Sequence, residues 1–439
     1  MVSEKISTAF RQYKWLYFAV AAVSGLLLSA ATFSFSAVVQ IVTLFAIILV
    51  LTVMLSGSVK SANSYFLLGI TFFGTWILPT TYWYYSFMNP FVAVAASVGF
   101  TLLIANLFYI FRLRSKLPDH IVALALCTIW ALFTFLRLRL PVTEDWWIPH
   151  LVYAIWRNPA ILQLGRFGGE AAIEFVLLAF ASLCALLLIR RKWLMAIVIF
   201  IAAITAVLVF NGVLSHVSTS DLPVIITVQS STMQQNQNAA PEDIKKVKEQ
   251  TETAISSLGD THGKDIYVVW PENRIPPDNR EELSVFARNN GINLVYHTYE
   301  PIVSADAPYK LIVWIGPNGE KILDNSKAHI APGEQGTPRR SSNIIDGKTA
   351  YICYDVHYPD IVLRMRGANL VFVALNDEEF FDLEKTFHLA DMALRATQAN
   401  VWIAAASKDG PSAIINPGGY VERALPYHQD NVIVYNSGG

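Results

Sequence analysis

Charge is scarce in this chain. Asp, Glu, Lys and Arg supply only 15% of its 439 residues, while 54% are hydrophobic, and an ordinary soluble domain carries roughly 25% charged residues. This composition excludes a wholly soluble globular protein. The net charge of −1 points to no particular partner, and none of the nucleic-acid type is expected. Cysteine is scarcer still, with three residues. Cys127 and Cys184 fall inside long apolar runs and read as packing residues. Cys353 is therefore left without a disulfide partner in its own domain. There is no Gly-rich phosphate loop, no internal repeat and no His spacing that suggests a metal site, so no cofactor is expected.

What is present is a series of apolar runs confined to the first half. Seven candidates lie at 15–33, 38–57, 65–82, 91–111, 120–136, 171–189 and 193–213, each close to the ~20 residues needed to cross a bilayer core. Lys5, Arg11, Lys14, Lys60, Arg112, Arg114, Lys116, Arg190, Arg191 and Lys192 all fall at connections on one side. The positive-inside rule makes that side cytoplasmic. An odd number of spans then carries everything after His216 to the outer face of the cell membrane. The first run has the basic start of a signal peptide, but six further spans favour a retained anchor.

From Leu222 the texture changes to short β-branched runs at 223–229, 265–270, 293–297, 310–316, 350–353, 369–375, 401–406 and 412–416. A hairpin turn is expected at Pro317-Asn318-Gly319-Glu320, and helices at 241–258 and 387–400. The alternation predicts a layered α/β domain, with chemistry on loops at strand ends. The expected division is a transmembrane helical domain at 1–215, a linker at 216–222 and a catalytic domain at 223–439.

Cys353 ends one strand in Tyr351-Ile352-Cys353-Tyr354-Asp355, which makes it the candidate nucleophile. A thiolate nucleophile needs a base and an oxyanion donor. Glu272 follows a strand in Val269-Trp270-Pro271-Glu272, and Lys327 lies in Ser326-Lys327-Ala328-His329-Ile330-Ala331-Pro332-Gly333-Glu334. Read singly, Glu272 could cap a turn, Lys327 could be a solvated loop lysine and Cys353 could be core. Together, in the order Glu, Lys, Cys, the three strings resemble the nitrilase (carbon-nitrogen hydrolase) superfamily, and within it the membrane-bound apolipoprotein N-acyltransferase branch. Gly367 to Asp377 and Asp409 to Gly419 resemble the same family, as do Trp146-Trp147 and Asn158 to Leu164 with Gly168-Gly169 in the membrane half.

The resemblance implies an αββα sandwich on a helical membrane base, and a Cys353 thioester formed with Glu272 as base and Lys327 as oxyanion donor. It also implies a phospholipid acyl donor, a diacylglyceryl-modified lipoprotein acceptor and an active site opening to the lipid bilayer, with the oligomeric state left open. Glu334 resembles the family's second glutamate, although Pro332-Gly333-Glu334 is one residue shorter than the family string. Asp355, which alternation puts on the side of Cys353 if the strand continues, either orients the lysine or solvates a turn. His329 and His388 also occupy family-like positions, where a structural role is the simpler reading. After Asn376-Asp377 the family continues to Trp-Phe-Gly, whereas this chain reads Glu378-Glu379-Phe380-Phe381; Glu379, Phe380 and Phe381 are expected to face substrate or lipid. Gln398 and Asn400 stand where the family has Glu and Arg, and the family's final membrane span has no counterpart before Gly439. Two alternatives stay open: a membrane-tethered amidase, or an acyltransferase with another amine acceptor.

Overall fold

The computed structural model describes residues 15–436 except 35, 58, 60, 87, 141–142, 145–147, 217–221, 232–237, 262, 302–306 and 379. Two compact units result, Met1–Gly212 and Val213–Gly439. Most of the expected linker, together with Trp146, Trp147 and Glu379, lies outside the described residues.

The first unit is helical, and among the described residues six of its helices are long and apolar enough to cross a membrane: Trp15–Phe33, Ala37–Leu55, Pro90–Ser115, Asp119–Arg137, Gly165–Ile189 and Trp193–Leu214. This is the helical base of a multi-pass membrane protein. The expected span at 65–82 corresponds to helix Ala62–Thr80, which has 19 residues. It matches the first span in length but not in apolarity, because Thr71, Thr75, Pro79 and Thr80 interrupt it. Those hydroxyls are turned back onto the helix, as when Thr75 Oγ1 donates to Thr71 O at 2.8 Å, so they can be buried without an outside partner. The helix packs closely on Trp15–Phe33. A Cβ at Gly25 would run into the Phe72 carbonyl and the Thr75 hydroxyl, so the crossing needs glycine there.

The connection before Gly165–Ile189 is built into the bundle where it is described. Leu151 to Trp156 are buried, Leu151 N donates to Glu174 Oε1 at 2.8 Å and Arg157 N to Gln40 Oε1 at 2.8 Å. Arg137 Nη1 donates to Ile148 O at 2.9 Å. Two of these buried side chains, Arg137 and Glu174, are ionisable, and each is engaged with a peptide group, as such side chains within a membrane domain are expected to be.

The second unit has two sheets. One runs β11-β1-β2-β3-β4-β5, with β1 Val224–Gln229, β2 Ile266–Val269, β3 Asn293–Glu300, β4 Tyr309–Ile315, β5 Lys321–Ser326 and β11 Asn431–Tyr435. The other runs β10-β9-β8-β7-β6, with β6 Lys348–Ile352, β7 Leu370–Asn376, β8 Trp402–Lys408, β9 Ala413–Ile415 and β10 Val421–Ala424. Pairs β1-β2, β2-β3, β6-β7 and β7-β8 are parallel. Every residue of β1 is buried, the signature of a strand covered on both faces. Ile226, Val228, Val268, Trp270, Leu294 and Tyr296 pack with Ile244, Val247, Ala254, Leu283 and Phe286 of the helices Pro241–Ser256 and Arg280–Asn290. The opposite faces of the two sheets meet each other, with Tyr267 stacked on Phe372 at 5.2 Å between ring centroids. Helix Asp382–Ala399 packs near β8 and β9, and the arrangement is an αββα sandwich.

The Pro317 to Glu320 hairpin forms, with Gly316 N donating to Glu320 O at 2.8 Å and Gly319 at φ 85°. Three strands escape sequence reading. Lys321–Ser326, Val421–Ala424 and Asn431–Tyr435 are paired as β5, β10 and β11, yet Lys321, Asp324 and Asn325 give the first a polar texture.

Candidate active site

The strand ends bring three loops together. Glu272 follows β2, and its amide donates to Leu375 O of β7 at 3.0 Å, which ties this loop to the other sheet. Lys327 follows β5; its amide donates to Lys310 O at 2.9 Å. Cys353 follows β6 at φ 41°, a left-handed conformation costly for any residue with a Cβ and concentrated at functional sites. The turn Cys353–His357 is a 3₁₀ segment. That corrects the expectation for Asp355: the strand stops at Ile352, so alternation does not place this residue. Asp355 is instead buried beneath the lysine loop, where its Oδ1 accepts from Ala328 N and His329 N, both at 3.0 Å.

Lys327 is 1% exposed. Its Nζ lies 2.8 Å from Glu334 Oε1 and 3.3 Å from Glu272 Oε1, so the shorter Pro-Gly-Glu string still delivers Glu334 to the lysine. Glu334 is braced by Ala331 N, which donates to its Oε2 at 2.8 Å. Lys310 joins the cluster, 3.2 Å from Glu272 Oε1 and in direct contact with Glu334. Sequence reasoning missed Lys310; a lone lysine within the apolar strand Tyr309–Ile315 was the available signal.

Burial alone would raise the Glu272 carboxyl, but the ammonium groups of Lys327 and Lys310 outweigh it and hold Glu272 well below the usual carboxylate range. Burial would likewise lower Lys327, yet Glu272 and Glu334 keep it firmly charged. The Cys353 thiol is pushed up, by burial first and then by the Glu272 charge, with Lys327 acting in the opposite sense. His297, whose Nδ1 faces Asn273 O at 3.1 Å, is lowered to about 4, chiefly by burial.

A second buried cluster meets the sulfur. His388 Nε2 lies 4.0 Å from Cys353 Sγ, and His388 Nδ1 lies 2.7 Å from Asp377 Oδ1. His329 is remote in role: its Nε2 bonds Asp360 Oδ1 at 3.0 Å and its ring stacks on Tyr358.

Beyond β7, Glu378 Oε2 is paired with the buried Lys408 Nζ at 2.5 Å. Phe380 is half-buried, while Phe381, 41% exposed, precedes helix Asp382–Ala399. The expected helix at 387–400 thus begins five residues earlier, with Asp382 and Glu384 in its first turn, where acidic groups suit the helix dipole.

A helical membrane unit joined to an αββα unit with a buried Glu, Lys and Cys at its strand ends defines the class. Residues 24–183 match the family model described as the apolipoprotein N-acyltransferase N-terminal domain. The chain is similar to the apolipoprotein N-acyltransferase of Allorhizobium ampelinum, 26% identical over 41% of this chain and 41% of that protein. It is also similar to that of Thermosynechococcus vestitus, 24% identical over 66% of this chain and 62% of that one. The matched segments therefore span less than two thirds of these relatives' own length. Among solved structures, an amidase of the nitrilase superfamily from Nesterenkonia AN1 is 18% identical, with a TM-score of 0.40, covering 49% of this chain and 91% of that one. The resemblance to apolipoprotein N-acyltransferase thus extends to relatives bearing that name.

Proposed function

We propose that this protein is a membrane acyltransferase that moves an acyl chain from a phospholipid to the α-amine of a diacylglyceryl-cysteine at a lipoprotein N-terminus, through a Cys353 thioester. The observation that carries this reading is the buried Lys327 ammonium, held between Glu272 and Glu334 in the loop cluster around Cys353. A buried cation of this kind suits a developing oxyanion, because in a low-dielectric site it is worth far more than in water.

In the first half-reaction a base takes the thiol proton, a role that the family resemblance gives to Glu272. The sulfur attacks the ester carbonyl and Lys327 stabilises the oxyanion. The C–O bond breaks, and lysophospholipid leaves as its alcohol. In the second, the amine nitrogen attacks the thioester, loses a proton and expels the thiolate, leaving an amide. Both substrates are amphiphiles whose tails leave the bilayer at a cost of ~0.8 kcal/mol per CH₂, which accounts for a catalyst carried on a membrane base. The basic residues at the short connections support a catalytic unit on the outer face.

Intact mass measurement of the purified protein tests this. Phospholipid alone should add one acyl mass to the chain, and a diacylglyceryl peptide should then remove it with formation of acylated peptide. Loss of the acyl mass to water at the same rate without peptide would instead identify a membrane-tethered amidase.

A further inference from the structure

A cavity of about 800 Å³ opens in the helical unit, among the connections that carry the basic residues. Two stretches line it. Gly57, Val59, Ala62 and Tyr65 belong to the passage from helix Ala37–Leu55 into helix Ala62–Thr80, and Tyr109 to Lys116 form the close of Pro90–Ser115 and the residue after it.

The second stretch owes its shape to Asn106, whose Nδ2 donates to Leu102 O at 2.7 Å while its own amide turns to Leu103 O. The α-helical ladder stops there, and Asn106–Ser115 continues as a 3₁₀ helix. Side chains three residues apart eclipse in such a helix, so Tyr109, Arg112 and Ser115 form one row and Leu113 and Lys116 stand together in the next. Ser115 Oγ donates to Arg112 O at 3.0 Å and Lys116 N to Leu113 O at 2.8 Å, which closes the segment ahead of Pro118.

Three cations line this cavity, and one is neutralised within the protein. Arg114 Nε lies 2.8 Å from Asp119 Oδ1 and its Nη1 donates to Met54 O at 3.3 Å, so its guanidinium is fixed against Gly57, where a Cβ would lie 3.4 Å from Nη2. Arg112 and Lys116 are exposed, and among the described residues neither is ion-paired with a carboxylate. Beside these two charges the lining is aromatic and apolar. Tyr109 stacks on Phe66 at 5.3 Å between centroids, Tyr65 stacks on Phe111 at 5.8 Å, and the Tyr65 hydroxyl donates to Val59 O at 2.9 Å; Ile110 and Leu113 complete it. A small soluble anion would leave the apolar part bare, and a hydrocarbon chain alone would leave two charges unmatched. One molecule that carries both parts matches the site, and the volume is that of an ordinary ligand cavity.

We infer that this cavity is a binding site for an anionic phospholipid. Arg112, with the planar fork that suits phosphate, and Lys116 take the phosphodiester, while the glycerol and the start of the acyl chains lie against Tyr65, Tyr109 and Leu113. Basic connections and interfacial tyrosines mark the cytoplasmic leaflet, whereas the donor of the reaction proposed above comes from the outer one. The lipid bound here is therefore no substrate. It joins the ends of three helices, and it should raise the unfolding temperature of the protein that holds it.

The test is a lipid titration of the full-length protein in neutral detergent, read by native mass spectrometry with phosphatidylglycerol and, separately, phosphatidylethanolamine. Wild type should hold one phosphatidylglycerol at least about fivefold more tightly than phosphatidylethanolamine. Arg112→Gln combined with Lys116→Gln should weaken phosphatidylglycerol binding roughly 10- to 30-fold and abolish the preference. Arg190→Gln combined with Lys192→Gln removes two exposed cations of the same side that lie outside the cavity, and should change it little. Equal losses in the two double variants would reduce the preference to diffuse attraction by the basic surface and overturn the site. No loss in the Arg112 and Lys116 variant would overturn it as well. Competition by sn-glycerol 3-phosphate at the same concentration as the lipid would make it a site for a soluble anion. Ala62→Phe fills the cavity with every charge kept; it should weaken lipid binding too, and it decides the matter if the double variant does not fold, as judged by thermal unfolding without lipid. No arm of this experiment involves Cys353, so failure of acyl transfer and failure of the lipid site are separate results.

Discussion

Lys310 Nζ lies 3.2 Å from Glu272 Oε1, so the carboxylate assigned to catalysis sits against two lysines. Removing the one outside the Glu-Lys-Cys set should expose what the pair does. Glu272 is depressed because Lys327 and Lys310 overcome its burial. In Lys310→Met its pKa should rise by about 1–3 units, and protonation then begins at a higher pH. The acid limb of kcat/KM is expected to move upward by that amount, with the alkaline limb unchanged. The sign for stability is the same: the depressed carboxylate stabilises the fold above its unfolded value, and this stability is lost as pH falls through the folded value. Lys310→Met should therefore lose less stability on acidification than wild type, the loss beginning at the same pH, set by the unfolded value, and ending at a higher one, which unfolding midpoints across the acid range would reveal.

Cys353→Ala should form no acyl-enzyme, and Cys353→Ser almost none, since an alkoxide is far harder to generate than a thiolate. Lys327→Ala should lower kcat by roughly 10²- to 10³-fold, the usual cost of losing one oxyanion donor, and Glu272→Gln by at least as much. Single-turnover acylation followed by mass measures all four, and normal rates in the last two would refute the assignment of Lys327 and Glu272.

Asp355→Ala withdraws the acceptor from two amides, Ala328 N and His329 N. Each buried N–H left unpaired costs about 1–3 kcal/mol, and the loop that aims Lys327 loses its anchor. The expected result is a clear drop in unfolding temperature and a fall in kcat with little change in KM. An unchanged kcat would mean that the Lys327 loop is held by other contacts.

Phe380→Ala combined with Phe381→Ala should slow turnover of bilayer-embedded phospholipid more than that of a short soluble thioester. Phe381 is exposed near the site, and apolar rings there can enter a lipid surface. Equal losses on both substrates would show that the segment supports the chamber itself. Glu378, paired with Lys408, is not available to repel head groups, so Glu378→Gln should alter stability before it alters donor preference.

An alkaline phosphatase fused after Gly439 should be active, and a reporter that works only in the cytoplasm should be silent. The reverse would mean that one helix of the base does not cross, and Ala62–Thr80, with its polar interruptions, is the first to examine.

The strand ends that carry Glu272 and Cys353 were legible because β-branched runs stop abruptly at both, whereas Lys327 was legible through the resemblance of its string, the strand before it being polar. Six helices of the base were legible for an equally simple reason, a sustained lack of charge. Lys310 and the His388–Asp377 pair were not, because each depends on a contact between elements distant in sequence: β4 against the loop after β5, and helix Asp382–Ala399 against the loop after β7. Alternation could place Asp355 only if the strand continued, and the positive φ of Cys353 ends it at Ile352. β11 was missed since Asn431–Tyr435 follows a polar tract and is too short to show a period.

That last strand has a consequence for biosynthesis. Asn431–Tyr435 is hydrogen-bonded to Val224–Gln229 along the register Ile225↔Tyr435 to Gln229↔Asn431, so the first strand of the αββα unit waits for its neighbour until about 200 further residues have been made. Helices of the base can insert as they emerge, whereas the sheet edge at β1 stays open through the rest of translation, at ≈ 5–20 residues per second. During that interval an exposed β1 is a template for pairing with the wrong chain. A ribosome stalled before residue 431 should thus display a membrane-inserted but protease-sensitive nascent protein, and resistance should appear only when the final strand is released from the exit tunnel.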